Sequence, residues 1–247
     1  LRHLALATFT EGIRHRALWA IVCLAVLLTM ANIFVAQLFS WDLGKVSVEF
    51  GLSAVALTGL LLVFFLGLKI LADDLERHRI SLIMSRPVAG WQYIVGKFLG
   101  LGMILLAAAL ILGLGAVLSM HYVLWQFPAY VPPQFSWTTY TMALASQWLG
   151  LVMMLAVSVF CFSFASQPFV ALLLTVAIYF IGQNMELLRQ VVVENTHAGI
   201  LTGKEQVVVA LSWIFPNLSL FDRKAAAAYG LAFGVQEFGL LLLYCLT

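Results

Sequence analysis

Charge is what this sequence has least of. Only 10% of its 247 residues are Asp, Glu, Lys or Arg, against 63% hydrophobic. A soluble domain carries about a quarter charged residues, so a water-facing surface cannot be covered from this supply. From Phe98 to Met185 there is no Asp, Glu, Lys or Arg at all. The apolar runs also lack polar–apolar alternation, which excludes the strands of a membrane barrel. Cysteine is scarce. Cys23, Cys161 and Cys245 each sit in an apolar run without a C-x-x-C partner, so neither a zinc site nor a disulfide framework follows. They read as small buried hydrophobes. His3, His15, His78, His121 and His197 fall at or beyond the ends of the apolar runs, which argues against a haem held inside a bundle. No H-E-x-x-H or G-x-S-x-G occurs. No G-x-x-x-x-G-K-[ST] occurs either, so the chain lacks that cradle for nucleotide phosphates. The net charge of +2 gives no footing for a nucleic-acid partner.

What is present is apolar length. A span needs about 20 residues at 1.5 Å each. Candidates are Ala17–Phe39, Phe50–Leu71, Phe98–Met120, Thr139–Phe164, Phe169–Leu187 and a sixth beginning near Gln236. The basic N-terminus followed by an apolar run resembles a signal peptide, but Ala17–Phe39 is too long for one and reads as a retained first span. The expected fold class is an all-α integral membrane protein with six transmembrane helices. The sixth is expected to be truncated, since its apolar stretch from Phe238 covers roughly 15 Å, about half a bilayer. Lipid is thus an expected partner.

Two segments are neither spans nor simple loops. Residues 1–16 set Leu4, Leu6, Phe9 and Ile13 against Arg2, Glu11, Arg14 and Arg16, the pattern of an amphipathic interfacial helix. Lys204–Phe215, closed by Pro216, is a short outer helix before the last span, either partly inserted at the interface or packed on the bundle. Residues 17–247 then form a single transmembrane domain, with a cytoplasmic segment at 72–97 and an extracytoplasmic one at 188–235. The orientation follows from charge. With the N-terminus inside, Arg2, Arg14, Arg16, Lys69, Arg77, Arg79, Arg86 and Lys97 are cytoplasmic, and the five other bases lie outside.

The segment from Leu71 to Lys97 gathers Asp73, Asp74, Glu76, Arg77, Arg79, Arg86 and Lys97 between two apolar runs. Asp73 faces Arg77 and Asp74 faces His78 at i,i+4, and Glu76 faces Arg79 at i,i+3, the favourable order on a helix. Leu71, Leu75, Leu82 and Ile83 share an apolar stripe, and Pro87 ends the helix. Such a segment is either a solvated connector obeying the positive-inside bias or a docking element for a cytoplasmic partner. The acids favour docking, because a topological signal needs only Lys and Arg.

"LERHRISLIMSRPVAGWQYIVGKFLG" resembles the cytoplasmic connector of ABC-2-type transporter permeases: an acid, a short Ser/Thr-led apolar run, a proline, then Gly-Lys at the third span. Here these are Glu76, Ser81, Leu82, Pro87, Gly96 and Lys97. The most similar branch is that named for multicopper-enzyme maturation, which includes the nitrous-oxide-reductase maturation permease. "FPNLSLFD", Phe215–Asp222, is similar to the Pro-Asn stretch before that branch's last span. His78-Arg79-Ile80 departs from the Gly-Thr common there. The resemblance implies a permease subunit, itself no enzyme, in a bacterial or archaeal cell (inner) membrane. It implies a second permease copy or homologue and a cytoplasmic ATP-binding subunit holding the ATP and Mg, with no cofactor on this chain. Asp73, Glu76, Arg77, Arg79, Arg86, Pro87, Gly96 and Lys97 would be the ATPase-coupling residues, with Pro87 setting a bend and Gly96 permitting close approach. The function implied is export or conformational relay to an extracytoplasmic partner.

Polar residues within spans are the other pointer to function. They are Asn32, Gln37, Gln147, Gln183, Asn184 and Glu186, each either a pathway group or an interhelical hydrogen bond. Gly100/Gly102 and Gly113/Gly115 are expected to permit close helix packing. The alternatives are a membrane enzyme or electron carrier, and a secondary transporter, which would need ion-coupling groups near the midplane in broken helices.

Overall fold

The structure, a computed structural model, describes residues 2–14, 16–38, 43–67, 69–70, 72, 90–126, 135–165, 167–196, 215–231 and 234–246. Among these residues the secondary structure is entirely helical. The order is α1 (Arg2–Arg14), α2 (Arg16–Leu38), α3 (Leu43–Leu61) running into a π turn (Leu62–Gly67), α4 (Gly90–Gln126) and α5 (Trp137–Phe164). There follow α6 (Pro168–Gln183), α7 (Met185–Thr196), a 3₁₀ turn (Leu218–Phe221), α8 (Lys224–Tyr229) and α9 (Val235–Leu246).

Three stretches are long and apolar enough to cross a membrane: Gly44–Gly67, Gly90–Tyr122 and Trp137–Phe164. They identify a membrane protein. Val22–Phe34 and Pro168–Gln183 are apolar but shorter. The exterior fits this environment. Trp19, Val26, Met30 and Phe34 on α2, and Leu99, Met103, Leu110, Leu114 and Leu118 on α4, are exposed.

Local sequence accounts for the element ends. Pro168 sits in the first turn of α6, where its missing N–H costs nothing. Asn184 ends α6, its backbone N–H turned back on the Phe180 and Ile181 carbonyls. Gly230 ends α8 at φ 65°, a left-handed conformation that glycine adopts without a Cβ clash.

The most extensive helix pairing is α1 against α4. Ala5, Thr8 and Gly12 are the buried face of α1. Gly100 of α4 faces them so closely that a Cβ there would lie 2.5 Å from Thr8 Cβ and 2.8 Å from the Ala5 carbonyl. The amphipathic N-terminal segment is thus a helix seated on the first turns of α4. Of the other paired glycines, Gly113 abuts Leu144 and Gly115 lies by Thr29, while Gly102 faces open space.

The lower core, near α1, joins the π turn to α4 and α5 through Leu62, Val63, Leu66, Leu101, Ile104, Leu105, Met154 and Leu155. The upper core, at the Trp137 end, joins Val48 and Leu52 of α3, Met120 of α4 and Tyr140 and Ala143 of α5 to Ala227 and Ala228 of α8. Residues 215–229 therefore run among the helices. Leu218 reaches the lower core, Phe221 packs on Gly150 at the middle of α5, and α8 fills the upper core.

Candidate functional site

At the base of the bundle, Lys97 is buried one turn before Gly100, with Gly96 buried beside it. Its ammonium lies 3.3 Å from Glu11 Oε2 of α1, with the Lys97 side chain 8% exposed and Glu11 35%. An ammonium so placed is tolerated because it is paired. Asp73, Glu76, Arg77, Arg79, Arg86 and Pro87 lie outside the described residues, as does Lys204–Ile214, most of the expected short outer helix. Of the eight coupling candidates, Gly96 and Lys97 are therefore the two whose place is known.

The polar residues of the expected spans divide into three groups. Asn32 of α2 is buried and ties three helices: its Nδ2 donates to the Ser47 carbonyl of α3 at 3.2 Å and to Ser119 Oγ of α4 at 3.0 Å. Asn184 is exposed and its Nδ2 donates to the Phe180 carbonyl of its own helix at 2.8 Å. Gln37 lies in α2. Asn32 and Asn184 thus make structural hydrogen bonds. Glu186, Gln147 and Gln183 belong to a different arrangement, organised by Phe215–Asp222.

That segment is anchored by one asparagine. The Asn217 backbone N–H donates to the Tyr244 hydroxyl of α9 at 2.7 Å, and its Nδ2 donates to Glu186 Oε2 of α7 at 3.3 Å. Its Oδ1 accepts from Ser219 Oγ at 2.6 Å. Non-helical backbone within a membrane bundle has to find partners in the protein, and Asn217 supplies them. The Pro216 carbonyl sits where a Cβ on Gly182 would meet it at 2.6 Å, and Phe221 Cβ sits 2.9 Å from where one on Gly150 would be. Two glycines, on α5 and α6, therefore make room for the segment.

Past Phe221 the chain carries a charge pair. Lys224 Nζ lies 3.0 Å from Asp222 Oδ2, and the Lys224 backbone N–H donates to Asp222 Oδ1 at 3.4 Å. The two side chains are 27% and 28% exposed. Together with Gln147, Tyr179 and Gln183 they form the polar wall of a cavity of about 50 Å³, whose apolar wall includes Ala56, Leu60, Leu151, Met154, Leu218 and Phe221. This space holds roughly three to five water-sized groups.

The sequence flagged Gln147, Gln183 and Glu186 separately. It does not show that the two glutamines face one space, or that Asp222, Lys224 and Tyr179 join them. A usable signal was the Pro-Asn pair and the Asp-Arg-Lys triplet standing between apolar stretches too short to be spans. Among the described residues no three or more of His, Cys, Asp and Glu gather as metal ligands. Compared with known proteins, the chain matches no family model and no curated protein.

Proposed function

We propose that the chain is the membrane-spanning permease subunit of an ATP-binding-cassette transporter of the ABC-2 type. Its six spans carry the N-terminus on the cytoplasmic side, and a separate cytoplasmic subunit hydrolyses ATP. Residues 72–97 are the coupling segment, and the output is export or a mechanical relay across the membrane. The permease works with a second copy or a homologue.

The observation that supports this reading is the joint at the base of α4. Glu11 and Lys97 pair α1 to α4 at the end of the charged segment, and Gly100 lets the two backbones meet. A push delivered through residues 72–97 would therefore move α1 and α4 as one body. Force entering at a stiff joint reaches the spans, whereas force entering at a loose loop is dissipated. The test is to reverse charge in the segment with Glu76→Arg and Arg79→Glu together. The expected outcome is normal membrane insertion with loss of the ATPase subunit from the purified complex. A complex that still assembles, with hydrolysis still coupled to transport, would overturn the assignment.

One observation favours a second reading. Asp222 stands on non-helical backbone among the helices and Lys224 opens α8, an irregular stretch of the kind on which a secondary transporter places its coupling groups. Solute accumulation by proteoliposomes of this chain alone, driven by an ion gradient without nucleotide, would select that reading.

A further inference from the structure

We propose that the cavity walled by Gln147, Tyr179, Gln183, Asp222 and Lys224 is a solute-binding site at membrane depth, entered from the Trp137 end of the bundle. The ligand class is a small, net-neutral molecule with an ammonium and a carboxylate, of which glycine is the simplest. The inference rests on the transport reading and holds for either energy source.

Depth is the first support. Gly150 lies near the middle of α5, about 20 Å of helix from each end, and Phe221 packs on it. Asp222 follows directly, so the charge pair stands well inside the bundle. Charge at that depth is costly and marks solute or ion pathways. Irregular backbone there is tolerated where it is buried or lines a watered cavity.

The second support is uncommitted hydrogen-bonding capacity. The Gln147 and Gln183 amides and the Tyr179 hydroxyl make no hydrogen bond to another described residue. Two amides and a phenol on one wall offer donors and acceptors together. All three are half-buried, so in the empty cavity they face water, which a ligand with matching polar groups would replace.

Charge and size set the class. One carboxylate and one ammonium cancel, so a lone cation or anion would meet a like charge beside its partner. A zwitterion satisfies both ends, ammonium to Asp222 and carboxylate to Lys224. The volume admits about three to five non-hydrogen groups, which fits glycine and excludes a large solute. The direction of entry follows from the packing. Toward α1 the cavity ends on Leu151, Met154 and Leu218, which are buried in the lower core with Leu62, Leu66 and Leu155. Toward the Trp137 end it is bounded by the partly exposed Asp222 and Lys224, from which α8 rises until Tyr229 lies under Lys45, 5.3 Å from its ammonium.

The test uses the full chain in native membranes with Cys23, Cys161 and Cys245 replaced by Ala. Gln183→Cys on α6 is the probe and Gln147→Cys on α5 is a second in case the first misfolds. Thr138→Cys reports the side of the Trp137 end, and Leu173→Cys on the apolar exterior is the unreactive control. Silver ion, a thiol reagent small enough for the cavity, is applied to each side in turn in chloride-free medium, each rate being read relative to that of Thr138→Cys. The expected result is that both cavity cysteines react from the side that labels Thr138→Cys. Glycine should slow that reaction severalfold, while acetate and methylammonium at equal concentration should not. Reaction of both cavity cysteines only after denaturation overturns the proposal, as does labelling that glycine leaves unchanged. The ATPase subunit does not enter this assay, so its failure leaves the permease reading standing. Labelling of Thr138→Cys from the cytoplasmic side would instead correct the topology alone.

Discussion

Replacing Gly100 by alanine tests whether α1 and α4 move together. A Cβ at Gly100 would lie 2.5 Å from Thr8 Cβ, 2.9 Å from Thr8 Cγ2 and 2.8 Å from the Ala5 carbonyl oxygen. Comfortable carbon contacts lie near 3.5–4.0 Å, so the new methyl intrudes by about 1 Å. A flexible side-chain tip could turn aside, but Ala5 presents backbone. The helices must therefore separate. Overpacking of this kind costs about 1–3 kcal/mol. Alanine's advantage over glycine in a helix acts on α4 in the docked and the open state alike, so it does not offset this cost. The loss in α1 docking is then about 1–3 kcal/mol, a factor of roughly 5 to 160 in the docked population. Amide hydrogen exchange by mass spectrometry reads this factor directly, because exchange from α1 follows its opening equilibrium. Exchange across residues 4–12 should quicken by that factor while α5 keeps its protection. Unchanged exchange in α1, with α4 intact, would refute the close seating on which the joint rests.

Other consequences follow from the same geometry. Gly182→Ala should displace the Pro216 carbonyl and lower stability by about 1–3 kcal/mol, read as a shift of the denaturation midpoint in detergent. Tyr244→Phe removes the acceptor of the Asn217 N–H and should cost about 0.5–1.5 kcal/mol by the same measurement. Asn32→Leu removes two interhelical hydrogen bonds averaging about 0.6 kcal/mol each. Its loss should stay near 1 kcal/mol, because Asn32 Oδ1 is buried with no partner among the described residues. Asn32→Asp, which brings a charge into the bundle, should cost about 2.5–3.5 kcal/mol.

The helical class and the long apolar stretches were legible in the sequence because hydrocarbon imposes one rule on every residue that meets it. α5 begins at Trp137 and ends at Phe164, two residues from the expected start and at the expected end. α4 begins at Gly90, eight residues before the expected span, because Gly96 and Lys97 are helical and buried under α1. The pattern of Leu1–Arg16 predicted an amphipathic helix. It did not show that the small residues Ala5, Thr8 and Gly12 are its docking face, since small residues weigh little in an apolar stripe. The π turn at Leu62–Gly67 left no trace in composition, being a backbone choice made by packing against α4 and α5.

The candidate site was less legible, for a specific reason. Gln147 and Gln183 are far apart in sequence, and whether they face lipid, each other or a cavity depends on the rotation of α5 and α6. Phe215–Asp222 has too much Pro, Asn, Ser and Asp to read as a span, and composition alone places it above the membrane. It packs among the helices because Gly150 and Gly182 leave room and Asn217 satisfies its backbone, conditions set on other elements.

The most direct measurement of the central claim is affinity purification of this chain from its native membranes, followed by identification of its partners and assay of hydrolysis. The expected result is a stoichiometric nucleotide-binding subunit and ATPase activity that is lost with Glu76→Arg/Arg79→Glu. A chain that purifies without such a subunit, and transports in proteoliposomes with no nucleotide present, would contradict it.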